Sequence, residues 1–202
     1  MGNEKFREMI KEFNEKFAKL TVKEIIEILT NYKVWEFDST KAECIDLKNE
    51  LLNVANDLIK DIQNKGGQEF DPEPESNLRT EISSWFQREV EERIRIQTKL
   101  SIQSLGWAGY PRFEIDGGYL TIKTMRSTTG SSPRYLYLSP RGLKIEKSGY
   151  HLGLVFIYDL ESTEDIPNVY PNDVRLVDLS KVELSTKIEC SASSKKTLET
   201  RI

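Results

Sequence analysis

The stretch Gly109 to Thr124, GYPRFEIDGGYLTIKT, holds the residues whose types and spacing suit chemistry best. Two candidate strands flank Asp116-Gly117-Gly118-Tyr119, a turn with glycine at both central positions, where positive φ is tolerated. That turn sets Ile115 opposite Leu120, Glu114 opposite Thr121 and Arg112 opposite Lys123. Side chains alternate along a strand, so Glu114, Asp116, Thr121 and Lys123 share one face. Phe113, Ile115, Leu120 and Ile122 share the other, which is apolar throughout and faces a core. The polar face gathers two carboxylates and a lysine within about 5–8 Å. Taken singly, Asp116 is a turn residue, and Glu114 with Lys123 is an exposed cross-strand ion pair. Together they form a candidate catalytic face.

The charge distribution points the same way. From Ile122 to His151 there are six basic residues, Lys123, Arg126, Arg134, Arg141, Lys144 and Lys147, with Glu146 as the one acid. The segment is +5 in a chain of −4, which leaves −9 on the remainder. A basic band beside an acidic site suits a phosphodiesterase, since its cations hold flanking phosphates and steer a polyanion. Ser127, Thr128, Thr129, Ser131 and Ser132 add donors for phosphate oxygens. Arg126 and Arg134 could instead read guanine edges. The Ser191 to Lys196 run is a second candidate backbone contact or a frayed terminus.

The elements that position this face change character near residue 106. Before it the pattern is helical. Phe6, Ile10, Phe13 and Phe17 make one stripe over 3–19. Thr21 caps a second helix that ends near Asn31. Ser39 or Thr40 opens a third through Leu47, Leu51, Val54, Leu58 and Ile62, stopping at Gly66-Gly67. After the connector QEFDPEPES, Ser76 or Asn77 caps a long helix running to Gln103, with Leu78, Ile82, Trp85 and Phe86 inward. After Gly106 come strands: RFEI, YLTIKTM, RYLYLS, HLGLVFIYDL, DVRLVDL and KVELSTKI. The expectation is an α+β chain, with an N-terminal helical subdomain over 1–67 and a core over 76–202.

The hairpin resembles the active site of the PD-(D/E)xK nuclease superfamily, and type II restriction endonucleases in particular. Pro111, Glu114, the run Tyr119-Leu120, and Ile122, Lys123 and Thr124 carry the likeness, which extends over about residues 78–160. In that family one acid sits on the first strand, and a second acid and a lysine, two residues apart, sit on the next. The acids hold Mg²⁺ against the scissile phosphate, and the lysine orients the attacking water. The resemblance implies a restriction-endonuclease-like core, with a central mixed sheet flanked by helices. It also implies Mg²⁺-dependent, sequence-specific cleavage of double-stranded DNA.

Thr121 stands where the family has Glu or Asp, and a hydroxyl is a poor Mg²⁺ ligand beside a carboxylate. Three readings follow. Asp116 supplies the missing acid; or Glu81, on the preceding helix, does; or the site is disabled and the chain only binds DNA. The metal set is therefore Glu114 with Asp116 or Glu81. Lys123 is the catalytic lysine, and Thr121 is at most a holder of metal-bound water. Arg126, Ser127, Arg134, Arg141, Lys144 and Lys147 are the DNA contacts. A homodimer is expected, because twofold symmetry matches a palindromic site. A helical interaction protein without nucleic-acid activity is the alternative from another class.

Composition excludes much else. One histidine, His151, and two cysteines, Cys44 and Cys190, rule out a Cys/His zinc site built without carboxylates and two-histidine acid–base chemistry within one chain. His151 reads as a structural histidine at the start of an apolar strand, and Trp85 and Trp107 read as core aromatics. The cysteines read as reduced thiols of a cytoplasmic protein. No signal peptide, membrane-spanning run, P-loop or dinucleotide fingerprint is present.

Overall fold

The computed structural model describes residues 20–106, 109–128, 142–163 and 165–183, with Glu8, Lys11 and Glu12 ahead of them. The expected helix over 3–19, the strand RYLYLS, Trp107 and most of KVELSTKI lie outside the described residues, as does everything after Glu183.

Helix α1 spans Val22–Thr30. Its expected cap is a capping box: Thr21 Oγ1 accepts from the Glu24 backbone at 3.3 Å, and Glu24 Oε2 accepts from the Thr21 backbone at 2.7 Å. Strand β1, Val34–Trp35, follows. Helix α2, Ala42–Asn64, carries the expected stripe, with Leu47, Leu51, Val54, Leu58 and Ile62 all buried. Its start differs from expectation. Thr40 spends its hydroxyl and amide on Asp38, and Lys41 takes the cap position without a side-chain bond. The helix stops where expected, with Gly66 and Gly67 both at positive φ.

Strand β2, Gln68–Glu69, leads to helix α3, Glu75–Gln97. Its cap position is Pro74 rather than Ser76 or Asn77, and it ends six residues before Gln103. Thr98 turns out of it, its hydroxyl bonding the Ile94 carbonyl at 2.8 Å. Ile102–Ser104 then form strand β3. Strands β4, Phe113–Ile115, and β5, Gly118–Arg126, follow. The long pair β6, Gly149–Thr163, and β7, Ile166–Asp178, completes the sheet, with a 3-10 turn at Leu179–Lys181.

The sheet order is β2-β7-β6-β5-β4-β3, with β1 beside the start of β6. β5 and β6 run parallel, and the other neighbours along this path are antiparallel. This is the α+β arrangement, a mixed sheet flanked by helices, that a restriction-endonuclease-like core implies.

The two faces of the sheet differ. Helices α2 and α3 cover one, where Leu51, Leu58, Ile82, Phe86 and Ile94 meet Ile115, Leu120, Ile122, Leu154 and Phe156. Residues of α2 thus share one core with α3 and the sheet. A smaller cluster of Val22, Ile26, Val34, Tyr110, Tyr119, Ile145 and Leu179 covers part of the other face. No helix among the described residues is long and apolar enough to cross a membrane.

Candidate active site and nucleic-acid interface

Strands β4 and β5 form the expected hairpin in a different register. Phe113 pairs with Leu120, Glu114 with Tyr119 and Ile115 with Gly118. The turn centre is therefore Asp116-Gly117, with Gly117 at φ 75, and not Gly117-Gly118. The cause lies in β6. A Cβ on Gly118 would overlap the Tyr150 backbone, so Gly118 serves where two strands crowd rather than at the bend.

A shift of two residues preserves parity, so Glu114, Thr121 and Lys123 still share a face. The spacing changes. Lys123 now stands four residues beyond the partner of Glu114, about 13 Å along the strand. The expected 5–8 Å grouping of Glu114 with Lys123 is corrected accordingly.

The lysine at Glu114 is Lys147, whose Nζ lies 2.5 Å from Glu114 Oε1. Both side chains are partly exposed, 44% for Lys147 and 33% for Glu114. The pair therefore sets geometry more than stability, at up to about 1 kcal/mol. Tyr119 fixes the chain there: its Oη accepts from the backbone amides of Glu146 at 2.9 Å and Lys147 at 3.1 Å. Lys147, expected on DNA, is thus the counter-ion of the first candidate acid.

The other candidates are dispersed. Asp116 sits exposed at the turn, and its Oδ2 accepts from the Ser101 amide at 2.8 Å. Glu81 is exposed on α3, whose inward residues pack on the opposite face of the sheet. Thr121 is 2% exposed, and its Oγ1 has no hydrogen-bond partner. Lys123 is half-buried; burial first, and then the Arg112 charge, hold its ammonium below the ordinary value. Arg126 ends β5, and Ser127 Oγ donates to the Asp159 carboxylate. Lys144 Nζ donates to the Leu105 carbonyl. Arg134 and Arg141 lie outside the described residues. Sequence reasoning missed Arg112 and Tyr119 as contributors, although both alternate with Glu114 and Lys123 on this face.

Beneath the face lies His151, fully buried as expected of a structural histidine. Its Nδ1 is 2.8 Å from Tyr110 Oη, and its ring lies 4.9 Å from that of Tyr119. Burial pushes its pKa down to about 4 from an ordinary 6.5. The native state therefore holds a neutral ring, while the unfolded chain takes up a proton below pH 6.5. Stability is complete above pH 6.5 and falls as pH drops toward 4, by on the order of 3 kcal/mol. Urea unfolding from pH 7.5 to 4 should show this fall, shallower in His151→Gln. Equal slopes in the two proteins would exclude His151 as its source.

The donors do not make a ready cation site. Glu114 is held by Lys147, Asp116 by a backbone amide, and Glu81 lies across the sheet. Among the described residues no three His, Cys, Asp or Glu side chains group so as to hold a metal.

Comparison with known proteins adds a second line. The type II restriction enzyme MjaV family matches residues 16–200. The type II restriction enzyme MjaV of Methanocaldococcus jannaschii is 25% identical over 214 residues, covering 95% of this chain and 90% of the relative. No solved structure matches significantly.

Proposed function

Because the chain belongs to the type II restriction enzyme MjaV family, we propose that it cuts double-stranded DNA at a specific sequence, with Mg²⁺ as its divalent ion, as a cytoplasmic homodimer. One observation carries the reading: the family match runs through the whole described sheet, including the hairpin of Glu114 and Lys123. Type II restriction enzymes generally use divalent ions, and the requirement for Mg²⁺ in particular is part of the proposal.

Under this reading Lys123 faces the scissile phosphate and stabilises charge developing on its oxygens. Glu114 is the acid on the face that Lys123 shares, and its ion pair with Lys147 fixes where its carboxylate points. Asp116, Glu81 and Thr121 are the remaining candidates, to be sorted by substitution. Arg126, Ser127, Arg134, Arg141 and Lys144 are assigned to DNA contacts.

A second reading, a nuclease-fold protein that binds DNA without cutting, is favoured by Thr121 in place of an acid and by the lack of a three-donor metal cluster among the described residues. Incubation of a long, unmethylated, sequence-diverse DNA with the protein and Mg²⁺ separates the two. Discrete bands support the endonuclease. Retention of DNA in a gel without bands supports the second reading, and neither bands nor retention sinks both.

A further inference from the structure

We propose that Arg112, Lys123 and Lys144 together form a binding site for one phosphodiester group of the DNA backbone, at the point where β4 and β5 part. The identity of the polyanion rests on the endonuclease reading; the site itself rests on the geometry.

The β4–β5 ladder ends at Phe113↔Leu120. Upstream of it the chain pairs with another partner. The Tyr110 amide donates to the Gly142 carbonyl at 2.8 Å, and the Lys144 amide donates to the Tyr110 carbonyl at 2.9 Å. Segment 142–144 thus lies beside residue 110 and brings a third cation to Gly106, where an added Cβ would stand 3.4 Å from Lys144 Nζ. One peptide step joins the anchors of two of the cations. Arg112 Nη1 donates to the Gly106 carbonyl at 3.3 Å, and Lys144 Nζ donates to the Leu105 carbonyl. The backbone itself closes this arrangement, since the Leu105 amide donates to the Arg112 carbonyl at 2.8 Å.

Carried one step past the ladder, the register sets Arg112 opposite Thr121, on the face that Lys123 shares. Two further observations point to an anion. No ion pair joins Arg112, Lys123 or Lys144 to a carboxylate among the described residues, although the chain as a whole is acidic. Thr121 Oγ1, on the same face, is a buried hydroxyl with no partner. Like charges brought together without a counter-charge repel, and a bound anion relieves this. The guanidinium offers a fork that fits two phosphate oxygens, and the lysines add point charges. A phosphodiester, with two free oxygens and one negative charge, matches that set.

The test is equilibrium binding of a labelled DNA duplex to the full chain across a range of salt, in EDTA so that no cutting occurs. Arg112→Gln/Lys144→Gln is expected to bind about tenfold more weakly at low salt. Its plot of log affinity against log salt should be flatter by about 0.9, the slope of one lost phosphate contact. The charge-preserving Arg112→Lys and Lys144→Arg should keep the wild-type slope, which a loss of loop packing alone would not predict. Lys144→Gln alone serves should the double variant misfold, with the same fall in slope expected. Lys60→Gln, an exposed residue of α2 paired with Asp57, is the neutral control.

Wild-type affinity and slope in the glutamine variants would overturn the site, and so would a wild-type chain that holds no duplex at all. Cleavage is scored separately in Mg²⁺. A chain whose binding shows the variant-dependent slope yet never cuts retains the site and overturns the endonuclease reading. A chain that cuts with unchanged slopes does the reverse.

Discussion

A Lys123→Ala chain is expected to cut DNA at least about 10²-fold more slowly than wild type, the loss typical of removing one preorganised donor from developing negative charge. Lys123 sits on a strand held on both edges. β5 pairs with β4 at Phe113↔Leu120 and with β6 at Lys123↔Val155. Beyond the end of the β4 ladder the β6 ladder places Lys123, and its half-buried stem leaves little entropy to lose on meeting the substrate. Alanine removes the charge without opening the main core, which lies on the other face. Thermal melting should be close to wild type, and duplex affinity should fall by far less than the cutting rate. Lys123→Arg should recover binding more than cutting, because a guanidinium keeps the charge and changes its geometry. Wild-type cutting by Lys123→Ala would remove this residue from the chemistry and turn attention to Lys147, the lysine that actually touches Glu114.

The second large effect concerns stability. Phe86→Ala should cost about 3–5 kcal/mol, the range for emptying a buried aromatic site. Phe86 is fully buried on α3, with its ring 4.7 Å from Phe156 of β6 and 5.1 Å from Trp85. With Ile82 and Ile94 it is one of the contacts that seat α3 on the sheet. For a chain of this size that loss lowers the melting temperature by roughly 6–20 °C. Phe86→Leu, which refills most of the space, should lose much less. Urea unfolding reads the difference directly. A loss under about 1 kcal/mol would mean that α3 does not close the main core at this point.

How much of this was legible in the sequence depends on how local each cause is. The faces of β4 and β5 follow from alternation alone, and the structure keeps them. The Thr21 capping box and the stop at Gly66-Gly67 are equally local, since three or four residues contain all the partners. The hairpin register is not local. It depends on β6 approaching Gly118 so closely that no side chain fits, and nothing within the hairpin announces a strand some 30 residues away. The end of α3 fails for a related reason. Ile102–Ser104 continue a helical pattern, but they pair with Phe113–Ile115, and the tertiary ladder wins over propensity. The candidate site divides along the same line. Glu114 and Lys123 are visible as types and faces, whereas the contact of Glu114 with Lys147 crosses 33 positions and depends on the Tyr119 hydroxyl.

The two ends of the described fold are stitched to each other. The Val22 amide donates to the Val182 carbonyl at 2.9 Å, Thr21 bridges Glu183, and Val34–Trp35 lie along Gly149–Tyr150. During synthesis the first of these residues must wait for its partner, 160 positions later, to be made. At 5–20 residues per second that is roughly 8–30 s on the ribosome. Until then the start of α1 lacks its backbone partners and Leu179 of its cluster, and the polar face is without part of its cover. A cell producing this chain therefore meets the assembled face only once synthesis has passed Glu183, and not on shorter nascent chains.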